Sequence, residues 1–297
     1  MNNARRLTIQ ALIAGSWALS TGCGSSSFSG SSGTKPPVKP VAAPAPSADA
    51  VPEAPAADVG AAAPAPAPPS VVDLNDCAGK AAALNYNIVL AFDNTGSQAL
   101  TDPLNLREFG GRAFVDQFLT YKTVNTKAIV NMNVLSFNTV STRSANGWLT
   151  LSPEHVDLIK GDISTATAKP FGSTAYSPAL NDAAALFAEI NTKTAGTDAR
   201  NYLIFLTDGL PNADNQTAIT QAVSNVVATE AAIIAIASGD VNIAGEIAVR
   251  GLAQPVSGGK HPDLVGRYYR AALAEDLKSV WGSLTAQISS GCNASGT

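Results

Sequence analysis

Histidine, cysteine and charge are all in short supply in this chain, and each shortage narrows what it can do. The two histidines, His155 and His261, stand in different segments, and neither has a cysteine or second histidine at metal-ligand spacing, so a zinc-type centre has nothing to be built from. Both read as ordinary surface or loop residues. Charged residues make up only 14% of the sequence and leave a net charge of -4, with no Lys/Arg run interleaved with aromatics, which argues against nucleic acid as a partner. No G-x-S-x-G elbow follows an apolar strand, and two scattered histidines give little for a triad, so a serine hydrolase is disfavoured. No internal repeat is visible. What is plentiful is apolar sequence, 45% over 297 residues, enough for the core of one folded domain.

The amino end carries Arg5-Arg6, a mostly apolar stretch from Leu7 to Leu19, and then Ser20-Thr21-Gly22-Cys23. That is the layout of a secretory signal over residues 1–22, too short to remain as a membrane span. Small residues ahead of a lone cysteine resemble the bacterial lipoprotein processing site, although Ser20 stands where leucine is usual and Leu19 lies one place earlier. The resemblance implies that Cys23 is acylated and anchors the chain to a membrane. Plain cleavage with an unused thiol is the alternative. Gly24 is not the aspartate that commonly retains lipoproteins at an inner membrane, which points to an outer membrane or cell surface within the envelope. Assigning Cys23 to the lipid leaves Cys77 and Cys292, an even pair near the two ends of the folded part. In an oxidising compartment a disulfide between them follows, stabilising by up to roughly 5 kcal/mol on the chain-entropy view. Two unpaired thiols are the alternative.

Residues 23–76 are Ser/Gly-rich at first and then dominated by Ala and Pro, with few large apolar side chains, so they are expected to form a disordered linker. The Ala/Pro part reaches at most on the order of 100 Å at about 3.1 Å per residue. Residues 77–292 alternate strand and helix patterns, followed by a short tail at 293–297. Strands are expected near 86–92, 128–137, 147–151, 201–206, 231–237 and 266–270, and helices near 104–121, 153–165, 176–190, 215–229, 242–253 and 273–289. This predicts an α/β fold: a doubly wound, mostly parallel sheet with one antiparallel edge strand near Trp148 and helices on both faces.

Three separated fragments carry the chemistry: Asp93-Asn94-Thr95-Gly96-Ser97, Gly172-Ser173-Thr174 and Thr207-Asp208-Gly209. The first and third each follow an unbroken apolar run, Ile88 to Phe92 and Tyr202 to Leu206, of the kind buried on both faces in a parallel sheet. Both aspartates therefore fall where strands end, and ligands of open α/β sheets bind outside those ends. In this order and placement the fragments resemble the metal-ion-dependent adhesion site of von Willebrand factor A domains, over roughly Ala83 to Ser289. The resemblance implies a Rossmann-like fold and a divalent cation, magnesium or alternatively manganese or calcium, held by Asp93, Thr95, Ser97, Thr174 and Asp208. It also implies a protein ligand that supplies an Asp or Glu carboxylate to the metal, in adhesion or scaffolding rather than catalysis. Thr95 stands where the family more often has serine, keeping the oxygen and adding a methyl group.

The chemistry suits those residue types. Magnesium prefers six oxygens, dehydrates reluctantly and is usually held by one or two carboxylates plus waters. Neutral hydroxyls complete a shell without cancelling more charge. Gly96 and Gly209 ease the loop turns, Pro211 stiffens the exit from the third loop, and Tyr176 reads as core more readily than as rim. Two alternatives use the same residues. Asp-Asn-Thr-Gly-Ser also resembles the nucleophile loop of aspartyl-phosphate hydrolases, with Asp93 attacking phosphorus, although Asn212 and Ala213 occupy the places of a further aspartate and Asp214 lies too far on. A structural envelope subunit whose metal only steadies the loops is the other.

Overall fold

Apolar runs become wholly buried strands here because helices cover the sheet on both sides. The structure, a computed structural model, describes residues 85–239, 241–256, 260–261, 264–271 and 274–289. The expected signal, the linker, Cys23, Cys77 and Cys292 lie outside the described residues. Among the described residues, no helix is long and apolar enough to cross a membrane.

The strands are β1 (Asn85–Asp93), β2 (Ile129–Phe137), β3 (Ser141–Arg143), β4 (Leu149–Thr150), β5 (Ala199–Thr207), β6 (Ala231–Ser238) and β7 (Arg267–Ala271). The helices are α1 (Gln98–Thr101), α2 (Leu106–Val124), α3 (Val156–Thr167), α4 (Ser177–Lys193), α5 (Gln216–Val227), α6 (Ile243–Leu252) and α7 (Ala274–Ser289). Strand order is β3-β2-β1-β5-β6-β7, with β4 also on β2. β1 pairs in parallel with β2 and β5, β5 with β6, and β6 with β7. The expected doubly wound, mostly parallel sheet is therefore present. Its antiparallel edge comes in two pieces, β3 against Leu135–Phe137 and β4 against Asn131–Met132. Only the second, near Trp148, carries apolar residues enough to show in the sequence.

Alternation assigns each strand's side chains to one of two cores. Tyr86, Ile88, Leu90 and Phe92 pack towards α2, α3 and α7, while Val89, Ala91, Leu203 and Phe205 pack towards α4, α5 and α6. β1 and β6 are buried at every position for this reason. α2 lies close to α7 through Gly110, where a Cβ would stand only 2.1 Å from the Trp281 indole nitrogen.

A row of buried asparagines crosses the second core. Thr150 Oγ1 donates to Asn131 Oδ1, Asn131 Nδ2 to Asn87 Oδ1, Asn87 Nδ2 to Asn201 Oδ1, and Asn201 Nδ2 to Asn191 Oδ1 and the Thr229 carbonyl, all within 3.0 Å. Asn87 is the register partner of both Asn131 and Asn201. Each amide donates onward and accepts from behind, so the row is satisfied despite its burial.

Candidate metal centre

From β1 the chain moves to β2 on one side, then returns to β5 on the other, so the sheet's topological switch point lies between the carboxyl ends of β1 and β5. A crevice opens at such a point. Asp93 is the last residue of β1, and Asp208 follows the last residue of β5. The parallel register ends with Phe92 opposite Leu206, so one step on Asp93 meets Thr207, whose hydroxyl donates to Asp93 Oδ2 at 2.6 Å.

The three loops are stitched together by backbone bonds. Gly96 N donates to the Gly172 carbonyl at 3.1 Å, Phe171 N to the Asn94 carbonyl at 3.0 Å, and Asn212 N and Ala213 N to the Thr174 carbonyl, each at 3.0 Å. The Asn212 side chain accepts from Thr174 N at 2.9 Å. Tyr176 donates its phenol to the Gly209 carbonyl, and at 1% exposed it is core, fixing the third loop from beneath. Burial pushes that phenol's pKa up, against the lowering effect of the Thr207 hydroxyl.

Four of the five expected ligands form one hydrogen-bonded chain. Thr95 N donates to Asp93 Oδ1 at 2.9 Å, the Thr95 and Ser97 hydroxyls lie 2.9 Å apart, and Ser97 Oγ donates to Asp208 Oδ1 at 2.9 Å. Thr101 completes it, its hydroxyl 2.5 Å from Asp208 Oδ2. Thr174 is held beside this chain through its backbone, and its hydroxyl stands outside the bonded run. Asp93 and Asp208 are buried, at 0% and 5% exposed, while Ser97 faces solvent. Burial, with the charge of Asp208 adding, pushes the Asp93 carboxyl from an ordinary 3.8 up to about 6; the bonds from Thr207 and Thr95 pull the other way.

This donor set fits a hard divalent cation. It consists of oxygen only, it places two carboxylates where ionising both is costly, and their bonding partners are hydroxyls and an amide rather than a lysine or arginine. It fits a phosphoryl-transfer nucleophile less well. Asp93 is wholly buried with both oxygens accepting bonds, and Asp214 caps α4, taking bonds from Ser177 N at 2.7 Å and Ser177 Oγ at 2.8 Å. The histidines stand apart. His155 precedes α3 with Nδ1 2.9 Å from the Thr150 carbonyl, and His261, expected at the surface or in a loop, is in a loop but buried, with Nε2 3.0 Å from Asp198.

Several roles escape a reading of motifs. Thr207, present in the third fragment without a role, and Thr101, outside every fragment, bond the carboxylates, and Arg107, 1% exposed, lies behind the first loop. Its guanidinium donates to Asn94 Oδ1 at 3.3 Å and to the Thr167 carbonyl at 2.9 Å, tying the first loop to the segment that leads into the second. Burial lowers its pKa, while Asp102, Asp93 and Asp208 raise it. Periodicity does carry a signal for it: Arg107, Gly110, Gly111, Phe114, Phe118 and Tyr121 share the buried stripe of α2 at helical spacing. A charge on that stripe marks a residue held for a purpose other than solvation.

No family model matches the sequence, and no curated protein matches it. Solved structures do match. The PilB minor pilin from Streptococcus sanguinis aligns with a TM-score of 0.51 at 13% identity, covering 72% of this chain and 63% of that one. The pilus adhesin SpaC from Lactobacillus rhamnosus GG, in an open conformation, aligns with a TM-score of 0.50 at 15% identity, covering 69% of this chain and 30% of that one. A von Willebrand factor type A structure from Catenulispora acidiphila aligns with a TM-score of 0.49 at 15% identity, covering 68% of this chain and 42% of that one. At such identities the likeness is one of fold, and this chain spans less than two thirds of the length of each.

Proposed function

We propose that this chain is a divalent-cation-dependent protein-binding module of the cell envelope, acting in adhesion or scaffolding rather than catalysis. The observation that carries this reading is the pair Asp93 and Asp208, buried side by side at the sheet's switch point and bonded to a run of neutral hydroxyls. Asp93 and Asp208 hold the ion electrostatically, and Thr95, Ser97 and Thr174 supply neutral oxygens. Bound magnesium, manganese or calcium would relieve the two carboxylates and offer an open position to an acidic side chain of a partner. Thr207 and Thr101 orient the carboxylates, and Arg107 and Tyr176 hold the loops that carry them. The pilus adhesin and minor pilin that share the fold support a surface role.

The test is capture. Immobilised protein should retain an envelope partner in magnesium and release it to a chelator, and Asp208→Ala should retain none. Equal capture by wild type and variant would falsify the metal-bridging role.

Anchoring by a lipid on Cys23, a Cys77–Cys292 disulfide and placement at an outer membrane or cell surface belong to the same proposal. Cys23→Ser is expected to move the protein from the membrane to the soluble fraction. An unchanged distribution on fractionation removes the anchor.

A further inference from the structure

Large apolar side chains ring the candidate metal centre and face solvent. Leu100 of α1 is 85% exposed, Val140 in the β2–β3 turn 60%, Phe171 ahead of the second loop motif 64%, Leu210 in the third loop 40%, and Ile243 at the start of α6 81%. Single exposed apolar residues are ordinary and need no explanation. Here five of the eleven large apolar side chains exposed among the described residues come from five short, separate segments that meet at one place.

Their convergence is set by contacts already described and three more. Gly96 bonds to Gly172, which brings the first and second loops together. Ser173 N donates to Thr139 Oγ1 at 3.3 Å, adding the turn with Val140. A Cβ at Gly245 would lie 3.5 Å from the Leu210 nitrogen, and one at Gly239 would lie 3.1 Å from the Thr101 Cβ, which places the approach to α6 and its first turn against the third loop and α1. The five collar side chains themselves carry no charge. Over residues 96–101, 138–140, 169–173, 209–213 and 241–244 the one charged side chain is Lys169, and Asp102, Asp208, Asp214 and Asp240 adjoin these stretches in the sequence.

We infer that these five side chains form a collar that selects a protein segment presenting a glutamate or aspartate flanked by large apolar residues. The inference rests on the metal-dependent reading of the site and specifies its ligand. A cation at the centre attracts an acid, and the five collar side chains, all apolar, set no like charge of their own against it while favouring apolar flanks on the partner. Apolar flanks on the partner would cover the collar and exclude water from the ion contact, as rim residues do around an interface hot spot. A segment rich in polar or acidic residues gains nothing from Phe171 or Leu210. An anionic lipid surface calls for a cluster of lysines and arginines, and these stretches offer a single lysine, Lys169.

Fluorescence anisotropy on the full chain in magnesium tests this with three synthetic peptides: a glutamate flanked by leucines, the same glutamate flanked by serines, and a glutamine flanked by leucines. The leucine-flanked glutamate is expected to bind about tenfold more tightly than the serine-flanked one. The glutamine peptide and a chelator should each abolish binding. Phe171→Ser and Leu210→Ser, both at exposed positions, should erase the tenfold preference and leave calorimetric magnesium affinity unchanged.

Equal magnesium-dependent affinity for both glutamate peptides overturns the collar and leaves the metal reading standing. Absence of any calorimetric magnesium binding overturns the metal reading itself, and the collar with it. Magnesium binding without retention of the leucine-flanked glutamate, or equal retention of the glutamine peptide, overturns the collar alone. So does self-association in sedimentation that Leu210→Ser abolishes, since the occupant would then be a second copy. Co-sedimentation with anionic vesicles that the same substitution abolishes counts against it in the same way.

Discussion

Asp208→Ala is expected to erase a magnesium-induced rise in melting temperature of about 5–10 °C. The size follows from mass action. An ion that binds only the folded chain stabilises it by about 2.7 kcal/mol at a hundredfold excess over its dissociation constant. For a folded region of this length, each kcal/mol shifts melting by about 2–4 °C. Removing Asp208 takes away one of the two carboxylates that hold the charge, and it strands the Ser97 and Thr101 hydroxyls that now donate to it.

The same substitution should leave the metal-free protein nearly as stable as wild type. The charge of Asp208 adds to the cost of ionising buried Asp93, so removing Asp208 relieves that repulsion while losing two hydroxyl bonds. The two effects oppose each other, and the expected net change is within about 1 kcal/mol. Differential scanning calorimetry of both proteins, with magnesium and with a chelator, separates these outcomes. A wild type indifferent to magnesium, or a variant that still responds, would sink the assignment of these carboxylates to a cation.

The sheet and its helices were legible because their signals are local. Ile88 to Phe92 and Tyr202 to Leu206 are unbroken apolar runs, and both lie within fully or nearly fully buried parallel strands. Helix periodicity located the six longer helices to within a few residues. β3 left no trace, since Ser141, Thr142 and Arg143 are polar and the strand exists only because β2 offers it an edge. α1 is one turn of four residues, too short for a period to show.

Asp93, Thr95, Ser97 and Asp208, proposed as ligands from residue type and position after strands, are brought into one hydrogen-bonded chain. Thr101 gave no such signal, because nothing in Gln98-Ala99-Leu100-Thr101 indicates that a turn of helix brings its hydroxyl onto a carboxylate 107 positions later in the chain. The partners of Arg107 and Tyr176 were hidden for a related reason. The buried stripe marks Arg107 and the sequence marks Tyr176 as core, but the loops they bond, at Asn94 and Gly209, show only once the chain is folded. Partners brought together by tertiary folding are invisible to patterns read along one segment.

The asparagine row is the strongest case of that kind, and it carries the second large prediction. Asn87, Asn131 and Asn201 each look like a defect in an apolar strand, yet they stand in register across three neighbouring strands. Asn87→Leu keeps the branching of asparagine, adds some bulk at a fully buried position, and removes the central link. Asn131 Nδ2 then loses its acceptor and Asn201 Oδ1 its donor, in residues only 7% and 2% exposed. Each stranded buried group costs about 1–3 kcal/mol, so the expected loss of stability from the two is about 2–6 kcal/mol, read as a lower urea midpoint with an unchanged slope. Replacing Asn87, Asn131 and Asn201 together with leucines should cost less than the sum of the three single changes, because fewer polar groups are left without partners. The row also bears on the metal centre. A strand slipped by one residue would turn its apolar set to the wrong face and carry Asp93 away from Thr207. Asparagines that bond only when aligned hold β1 against β5 in the register that sets the two aspartates side by side. An Asn87→Leu protein within about 0.5 kcal/mol of wild type would show that apolar packing alone keeps this register.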